Sequence, residues 1–470
     1  MKELRGKMRI VGMLIVCLFV GLGVWYGFTV YSQGSVWASN PYNTRSNGST
    51  AHMGDITDRD GNTLAHTASD GTRQYLTNEA GRRALSQTIG DQMGMSGTGV
   101  ENYYSSTLLN ISGSLVDKLR SAFSGEERVG SSIQLTIDAE LTAYISSIFP
   151  EGKNGAVCVI NYKTGEILAW VSRPDYDPVD LLDGSIEGDN IADTAFLNRC
   201  IQGLYTPGST FKIVTLAAAI EADPNVLNQR FVCSGSWDYE GGTIVCAGNA
   251  VHGELDLMTA FARSCNITFG KLAYQLGEER LRATAEKFGL NENFKFGDFM
   301  IYNSSFPEDI PNVGGLVWAG VGQGEVLVTP QHMAMIAGTV ANDGVMMKPV
   351  LIRSIRNSMG ITTHTLETSA YRQVLDASTA EIIARAMYQA VQSGTATRAA
   401  ISGYTVCGKT GSAETSDDKT VPTNAWFAGF IRDESKPYAV AVVVEQGGAG
   451  STVATPIGRQ ALEKAIDVVG

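Results

Sequence analysis

Apolar and polar positions divide the chain into three regions of different texture. Ile10 to Tyr31 form an apolar run without a charged residue. Residues 32 to 130 are rich in Ser, Thr, Asn and Gly, with only short strand-like pieces at 55–58 and 62–65. From residue 131 onward the apolar segments become longer and more regular. The pattern predicts an apolar helix, a small irregular module and one large domain.

The regular part of the chain predicts a mixed α/β domain. Short apolar runs indicate strands, and longer runs with apolar residues three and four apart indicate helices. The predicted strands are Ile133–Ile137, Ala156–Ile160, Ile167–Val171, Ala425–Arg432 and Tyr438–Glu445. The predicted helices are Ala139–Phe149, Ser209–Ala222 and Pro456–Val468. Strands near both ends with helices between them predict one α/β or α+β domain whose sheet is completed by distant segments.

The apolar run at residues 10–31 predicts a transmembrane anchor, because a helix of about 20 apolar residues crosses a bilayer. Four basic residues precede the run and three aromatic residues lie near its far end, namely Lys2, Arg5, Lys7, Arg9, Trp25, Tyr26 and Tyr31. The positive-inside rule then places residues 1–9 in the cytoplasm and the rest outside, as in a single-pass plasma membrane protein. The alternative is a cleaved signal peptide with Val36-Trp37-Ala38 as its cleavage site, although the run exceeds the roughly 7–15 residues of a signal core.

Composition describes a folded, acidic protein of enzyme size. The 470 residues are 44% hydrophobic, with 48 acidic against 36 basic residues and a formal net charge of −12. An ordinary apolar content excludes general disorder. The acidic balance argues against nucleic acid as a partner, because phosphate binding needs clustered Lys and Arg. At roughly 100–200 residues per domain, the length allows two or three domains.

Seven cysteines and five histidines give no recognisable metal-ligand spacing. The chain has no C-x-x-C pair, which disfavours a zinc or redox site, so we predict no metal and no cofactor. Cys233 and Cys246 flank a Gly-rich, hairpin-like stretch. In an oxidising compartment they form a disulfide or remain two thiols, and the sequence leaves both alternatives open.

Candidate chemistry begins with an S-x-x-K pair, Ser209 and Lys212. Pro207-Gly208 predicts a turn, and the apolar run that follows predicts a buried helix with both side chains on one face of its first turn. A serine becomes a nucleophile when a neighbouring base takes its proton, and lysine is such a base when burial or a second cation lowers its pKa. Taken alone the pair is weak evidence, because a helix N-cap beside a solvated lysine also explains it.

Two further motifs complete an ordered set. Ser264-Cys265-Asn266 lies between two helix-like blocks and offers a hydroxyl and an amide. Lys409-Thr410-Gly411 follows a short strand and offers a positive charge and a close backbone approach. A second K-T-G at residues 163–165 is interpreted as a plain turn. The order S-x-x-K, S-x-N, K-T-G is similar to that of penicillin-binding proteins and serine β-lactamases.

The resemblance extends over nearly the whole chain after the apolar run. Residues 54–65 (GDITDRDGNTLA) resemble the membrane-proximal signature of class B penicillin-binding proteins, and residues 161–178 and 197–212 resemble the opening of their transpeptidase domain. His252-Gly253, Gly322-Gln323-Gly324 and the NAWFAGF segment also match landmarks of that family. The short N-terminal module most resembles the penicillin-binding protein A branch.

The resemblance implies a fold and an activity. The fold is a penicillin-binding transpeptidase domain at residues 131–470, with a central antiparallel sheet flanked by helices, above a membrane-proximal module at 32–130 and an anchor at 10–31. The activity is peptidoglycan D,D-transpeptidation: stem peptides are crosslinked through a serine acyl-enzyme with release of D-alanine, and β-lactams acylate the same serine. A D,D-carboxypeptidase, a β-lactamase-like hydrolase and a non-catalytic activator of a glycan polymerase are the alternatives.

The resemblance also implies a role for each motif residue. Ser209 is the nucleophile, Lys212 the general base, Ser264 a proton relay to the leaving amine, and Asn266 a holder of the acyl chain. Lys409 keeps the site positive, while Thr410, Gly411 and Ser412 bind the substrate carboxylate. The backbone N–H groups of Ser209 and Ser412 form the oxyanion hole. About 100 residues between anchor and domain are too few for a glycosyltransferase domain, so a SEDS-type polymerase is the expected partner.

Overall fold

The structure, a computed structural model, describes residues 2–38, 52–110, 129–182, 194–296, 299–416, 418 and 420–469. Its helices are α1 (Lys2–Ala38), α2 (Glu79–Ile89), α3 (Val100–Tyr103), α4 (Ser105–Leu108), α5 (Ala139–Ile148), α6 (Pro178–Leu182), α7 (Arg199–Gln202), α8 (Lys212–Ala222), α9 (Leu257–Ala262), α10 (Asn266–Lys287), α11 (Val313–Ala319), α12 (Pro330–Ala341), α13 (Ala377–Ser393) and α14 (Ala454–Val468). Short 3₁₀ helices span Gly208–Phe211, Pro224–Asn228, Ala247–Asn249 and Thr397–Ala399.

The strands follow the same chain order. They are β1 (Ile56–Thr57), β2 (Thr63–Thr67), β3 (Arg73–Tyr75), β4 (Ser132–Leu135), β5 (Gly155–Asn161), β6 (Ile167–Arg173), β7 (Arg230–Cys233), β8 (Ser236–Tyr239), β9 (Gly242–Val245), β10 (Gly253–Asp256), β11 (Phe294–Phe296), β12 (Phe299–Ile301), β13 (Val345–Met347), β14 (Ile352–Arg356), β15 (Thr362–Thr365), β16 (Ala370–Gln373), β17 (Val406–Ala413), β18 (Asn424–Ile431) and β19 (Tyr438–Val444).

A five-stranded antiparallel sheet in the order β17-β18-β19-β5-β6 lies at the centre of the molecule. Side chains of a strand alternate between the two faces, so apolar residues at every position bury both faces. Val157 and Val159 pack into a core with α5 and α14, whereas Ala156 and Cys158 belong to the larger core that contains α8 and α12. The predicted mixed α/β fold, with a sheet completed by distant segments and flanked by helices, is confirmed.

A second sheet joins the beginning of the chain to its middle. Its order is β15-β14-β4-β1-β2-β3, in which β1 and β4 pair in parallel. Strands from both sides of residue 130 therefore share one sheet, although the sequence divided the chain there. Parts of the predicted membrane-proximal module, residues 39–51 and 111–128, lie outside the described residues.

Two strands differ from their prediction in a way that matters for the site. The strand predicted at Ile133–Ile137 forms as β4 in the second sheet and not in the central one. The short strand predicted before Lys409-Thr410-Gly411 does not end ahead of this motif but continues through it to Ala413, because β17 pairs with β18 as far as Ala413 opposite Asn424. Lys409, Thr410 and Gly411 therefore lie on an edge strand of the central sheet.

A buried ion pair joins β3, an edge strand of the second sheet, to α3 and yields a stability prediction. Arg73 Nε donates to Glu101 Oε1 over 2.7 Å, and both side chains are 1% exposed. Glu101→Gln leaves the guanidinium buried without its counter-charge, so we expect a loss of about 3–5 kcal/mol of unfolding free energy. The matched control is Glu79→Gln, which breaks the exposed pair with Arg83 and is expected to cost at most about 0.5 kcal/mol. Urea unfolding of the detergent-solubilised chain measures both, and equal costs would contradict the prediction.

Candidate active site

Ser209 lies in a tight turn that packs against the segment at Gly322. It belongs to the 3₁₀ helix Gly208–Phe211, which runs directly into α8, whereas the sequence predicted a single helix from Ser209. Gly208 has φ 55°, the left-handed region that favours glycine, and its N–H donates to Gly322 O over 2.8 Å. A Cβ at Gly322 would lie 2.1 Å from Gly208 O. Two glycines therefore allow the backbone approach that fixes the position of Ser209.

Lys212 is the first residue of α8, and its amine is fully buried. Nζ donates to Ser264 O over 2.8 Å, to Asn266 Oδ1 over 2.7 Å and to Ser264 Oγ over 3.2 Å. The ring of Phe269 lies 5.4 Å from the nitrogen. Lys212 is therefore not a solvated surface lysine. The structure places it against the S-x-N motif, 52 and 54 residues further along the chain.

Lys409 is a second fully buried lysine in the same site. Its Nζ donates to Ser264 Oγ over 2.9 Å and to Thr410 O over 3.0 Å, with the ring of Phe261 5.6 Å away. Both lysines thus contact one hydroxyl group, that of Ser264. This hydroxyl is the point at which S-x-x-K, S-x-N and K-T-G meet.

Burial determines the protonation of the two amines. Desolvation lowers the pKa of Lys212 to about 7, an effect that the thiols of Cys265 and Cys246 oppose. Desolvation also holds the pKa of Lys409 well below its usual range, and repulsion from Lys212 adds to this shift. Near neutral pH the pair therefore holds fewer than two positive charges. Such a pair can take up a proton from a neighbouring hydroxyl.

The S-x-N motif follows α9 and runs into α10, whose first residue is Asn266. Ser264 has φ 56°, which is rare for a residue with a side chain. Cys265 caps α10, and its Sγ accepts from Thr268 N–H over 3.5 Å. Asn266 Nδ2 donates to Val245 O over 2.9 Å, so its Oδ1 is left facing Lys212. The motif therefore presents a carbonyl, a hydroxyl and an amide oxygen to one amine.

The K-T-G segment of β17 runs against the Ser209 turn. A Cβ at Gly411 would lie 2.8 Å from Pro207 O, and one at Gly208 would lie 3.0 Å from Ser412 O. Ser412 is exposed, and its Oγ accepts from Gly450 N–H over 3.1 Å. Edge strand and turn thus approach each other closely enough for backbone groups of both to face one bound ligand.

Sequence reasoning missed two contacts that position the motifs. The hydroxyl groups of Thr395 and Thr410 are 2.7 Å apart, and Trp426 Nε1 donates to Thr206 O over 3.0 Å. No local signal identifies Thr395, which lies after α13. Trp426 belongs to the NAWFAGF segment, so the family resemblance pointed to it without giving its role.

The sequence left a Cys233–Cys246 disulfide and two separate thiols as open alternatives. Cys233 and Cys246 are free thiols with their Sγ atoms 3.7 Å apart, far longer than the about 2.05 Å of a disulfide bond. The sequence also predicted no metal site, because no compact ligand spacing exists. In the structure four of these side chains come together, and each lies at or next to the end of a different element. They are Cys233, Cys246, His252 and Cys265.

Fold and site together define a serine acyltransferase with two lysines, and comparison with known proteins identifies its family. Residues 155–463 match the family model of the penicillin binding protein transpeptidase domain. The match covers more than half of the chain, so this protein belongs to the penicillin-binding protein transpeptidase family.

Relatives of the chain agree with this assignment. The peptidoglycan D,D-transpeptidase PbpA of Mycolicibacterium smegmatis is 30% identical over 435 residues, which cover 86% of this chain and 87% of that protein. Among solved structures, the ceftriaxone acyl-enzyme complex of penicillin-binding protein A from M. tuberculosis has a TM-score of 0.80 at 29% identity and covers 88% of this chain and 98% of that one. A D,D-transpeptidase domain from Eggerthella lenta has a TM-score of 0.77 at 30% identity, covering 90% and 100%.

Proposed function

We propose that this protein is a peptidoglycan D,D-transpeptidase that crosslinks stem peptides through an acyl-enzyme on Ser209 and is acylated by β-lactams. One observation supports the proposal most strongly. A buried lysine that is three residues after the serine shares the Ser264 hydroxyl with a second buried lysine. The PbpA relatives are peptidoglycan D,D-transpeptidases, and penicillin-binding protein A of M. tuberculosis forms a β-lactam acyl-enzyme, which supports the same reaction here.

Acylation begins when Ser209 Oγ attacks the carbonyl carbon of the penultimate D-alanine. Lys212 takes the hydroxyl proton, because burial keeps its amine neutral for part of the time near pH 7. The backbone N–H groups of Ser209 and Ser412 receive the oxyanion, a contribution worth about 10²–10³ in rate. When the peptide bond breaks, the proton passes through Ser264 to the departing amine of D-alanine. The products are an ester on Ser209 and free D-alanine.

Transfer completes the cycle. An amine of a neighbouring stem peptide attacks the ester, a new amide bond forms, and Ser209 regains its proton through the same lysine. Asn266 holds the acyl chain, and Lys409, Thr410, Gly411 and Ser412 bind the carboxylate of the peptide or of a β-lactam. The Lys409 amine is 2.9 Å from Ser264 Oγ, so in its protonated form it acts on the relay hydroxyl as well as on the carboxylate.

Fluorescent penicillin tests the nucleophile. We expect the wild-type protein to be labelled covalently and Ser209→Ala not to be labelled, because the ester cannot form. Lys212→Ala should also abolish labelling, since Ser209 then has no base. The matched control is Ser147→Ala, an exposed serine on α5, which should label like the wild type. Unlabelled wild-type protein would indicate a non-catalytic activator, and loss of label within minutes would indicate a carboxypeptidase or β-lactamase-like hydrolase.

The pH dependence of labelling tests the base. Below a pKa of about 7 Lys212 is protonated and cannot accept the Ser209 proton. The second-order rate of acylation is therefore expected to fall about tenfold per pH unit below pH 7 and to level off above it. Stopped-flow measurement of penicillin acylation between pH 5 and 9 checks this. A flat profile, or a rate that still rises about tenfold per unit up to pH 9, would contradict a role for Lys212 as base.

We further propose that α1 anchors the protein in the plasma membrane, with residues 1–9 in the cytoplasm, residues 32–130 as a membrane-proximal module and residues 131–470 as the catalytic domain outside. Within α1, Val11–Thr29 is long and apolar enough to span a bilayer, with a mean hydropathy of 2.2. The basic residues before it and the aromatic residues near its far end support this orientation. Glycan strands then come from a SEDS-type polymerase that contacts the anchor and the membrane-proximal module.

Replacing residues 10–31 with an unrelated membrane span tests anchor and partner together. The exchanged protein should stay in the membrane and be labelled by penicillin, but lose co-purification with the polymerase. Protease added to intact spheroplasts should digest the catalytic domain of both proteins. Wild-type protein that is recovered in the soluble fraction, and that has lost residues 1–38 by cleavage in the cell, would instead indicate a cleaved signal peptide.

A further inference from the structure

A carboxylate at the end of β19 contacts the segment that leads into the Ser209 turn. Glu445 directly follows β19, and its side chain is 28% exposed. Its Oε1 accepts from Arg199 Nε over 2.8 Å and from the Tyr205 hydroxyl over 2.7 Å. Tyr205 lies four residues before Ser209 in the chain. The reaction described for Ser209 gives Glu445 no role.

Tyr205 is held by contacts of its backbone, its ring and its hydroxyl group. Its N–H donates to Val328 O over 3.0 Å, and its carbonyl oxygen accepts from Val328 N–H over 2.9 Å. Its ring packs edge-on against Trp426 with the centroids 6.1 Å apart, and Trp426 Nε1 donates to O of the next residue, Thr206. Burial and the neighbouring carboxylate raise the pKa of Tyr205 far above its usual value, so the hydroxyl remains a proton donor to Glu445. This bond to an ionised group is stronger than a hydrogen bond between neutral groups.

Arg199 keeps the carboxylate of Glu445 in this position. The arginine side chain is 4% exposed, and its Nη1 also donates to Thr194 O over 2.9 Å. A buried guanidinium needs a counter-charge, which Glu445 supplies. The ion pair therefore fixes the carboxylate, and the carboxylate in turn fixes the Tyr205 hydroxyl.

The chain after Glu445 reaches the other side of the site. Gly450 N–H donates to Ser412 Oγ over 3.1 Å. The proposed oxyanion hole consists of the backbone N–H groups of Ser209 and Ser412. Residues 445–450 therefore contact the segment before one oxyanion donor and the side chain of the other.

We propose that Glu445 is a positioning residue for acylation, which acts through Tyr205 and holds the Ser209 turn at the distance from β17 that the oxyanion hole requires. This inference rests on the proposed acyl-enzyme chemistry at Ser209. A misplacement of about 1 Å costs a reaction about 100-fold in rate, so loss of the Tyr205 hydroxyl bond should slow acylation. Binding of penicillin before acylation should change little, because its carboxylate is held by the K-T-G segment.

Stopped-flow acylation of the full chain in detergent by fluorescent penicillin separates these two steps. The dependence of the observed rate on penicillin concentration gives the Kd of the first complex and the limiting rate of acylation. Tyr205→Phe removes only the hydroxyl group. We expect its limiting rate to fall about 10–100-fold, with a Kd close to that of wild type.

The matched control is Tyr438→Phe. It removes a buried tyrosine hydroxyl from the other end of β19, where that group donates to Val469 O over 2.8 Å. We expect both variants to lose a similar amount of unfolding free energy, because each loses one buried hydrogen bond. Only Tyr205→Phe should acylate more slowly than wild type.

A double variant tests whether Glu445 acts through Tyr205. Glu445→Gln removes the charge and should slow acylation as Tyr205→Phe does. The combined variant should be no slower than the slower single variant, since one contact can be lost only once. Effects that multiply would show that Glu445 acts by another route. The Tyr205→Phe measurement remains decisive if Glu445→Gln fails to fold.

Three further results would overturn the proposal. They are an unchanged limiting rate in Tyr205→Phe, an equal loss of rate in Tyr438→Phe, and a larger Kd at an unchanged limiting rate. Wild-type protein that penicillin does not acylate would contradict the proposed function instead. The same comparison is then made with a fluorophosphonate, which reacts with an activated serine without recognition of a peptide, and the same 10–100-fold loss in Tyr205→Phe is expected. Wild-type protein that reacts with neither reagent would overturn both proposals.

Discussion

Two buried lysines that contact one hydroxyl are the constraint on which the site depends. Taking an ammonium group out of water costs several kcal/mol even after the protein relaxes, so each amine needs acceptors. Ser264 supplies its carbonyl and hydroxyl oxygens to Lys212 and the same hydroxyl to Lys409. It does so from a left-handed backbone conformation with φ 56°. An unfavourable local conformation is thus retained because it provides acceptors that the buried amines require.

The fold brings the two lysines together from separate layers. Lys212 begins α8, which belongs to the larger core, whereas Lys409 lies on β17, an edge strand of the central sheet. Their distance depends on how closely β17 approaches the Ser209 turn, and glycine at 208 and 411 leaves room for that approach. The close approach of these two backbone segments therefore determines how near the two lysines lie to each other.

Sequence patterns predicted the helices and strands that a single stretch of chain determines. Apolar runs identified β5, β6, β18, β19 and α14 to within about two residues, because burial on both faces of a strand leaves an unbroken apolar run. It did not predict that β4 pairs outside the central sheet, since β4 and its partner β14 are more than 200 residues apart and leave no local signal. The cluster of Cys233, Cys246, His252 and Cys265 was missed for the same reason. Its members are ends of four elements, whereas sequence rules recognise ligands that share one short loop.

Burial and aromatic contact act in opposite directions on Lys212. The ring of Phe269, 5.4 Å from Nζ, favours the charged amine, and so do the nearby thiols of Cys246 and Cys265. Desolvation favours the neutral amine and is the largest cause, so the pKa falls to about 7. The balance requires the S-x-N segment to exclude water, because a hydrated amine would regain the charged form and lose its use as a base.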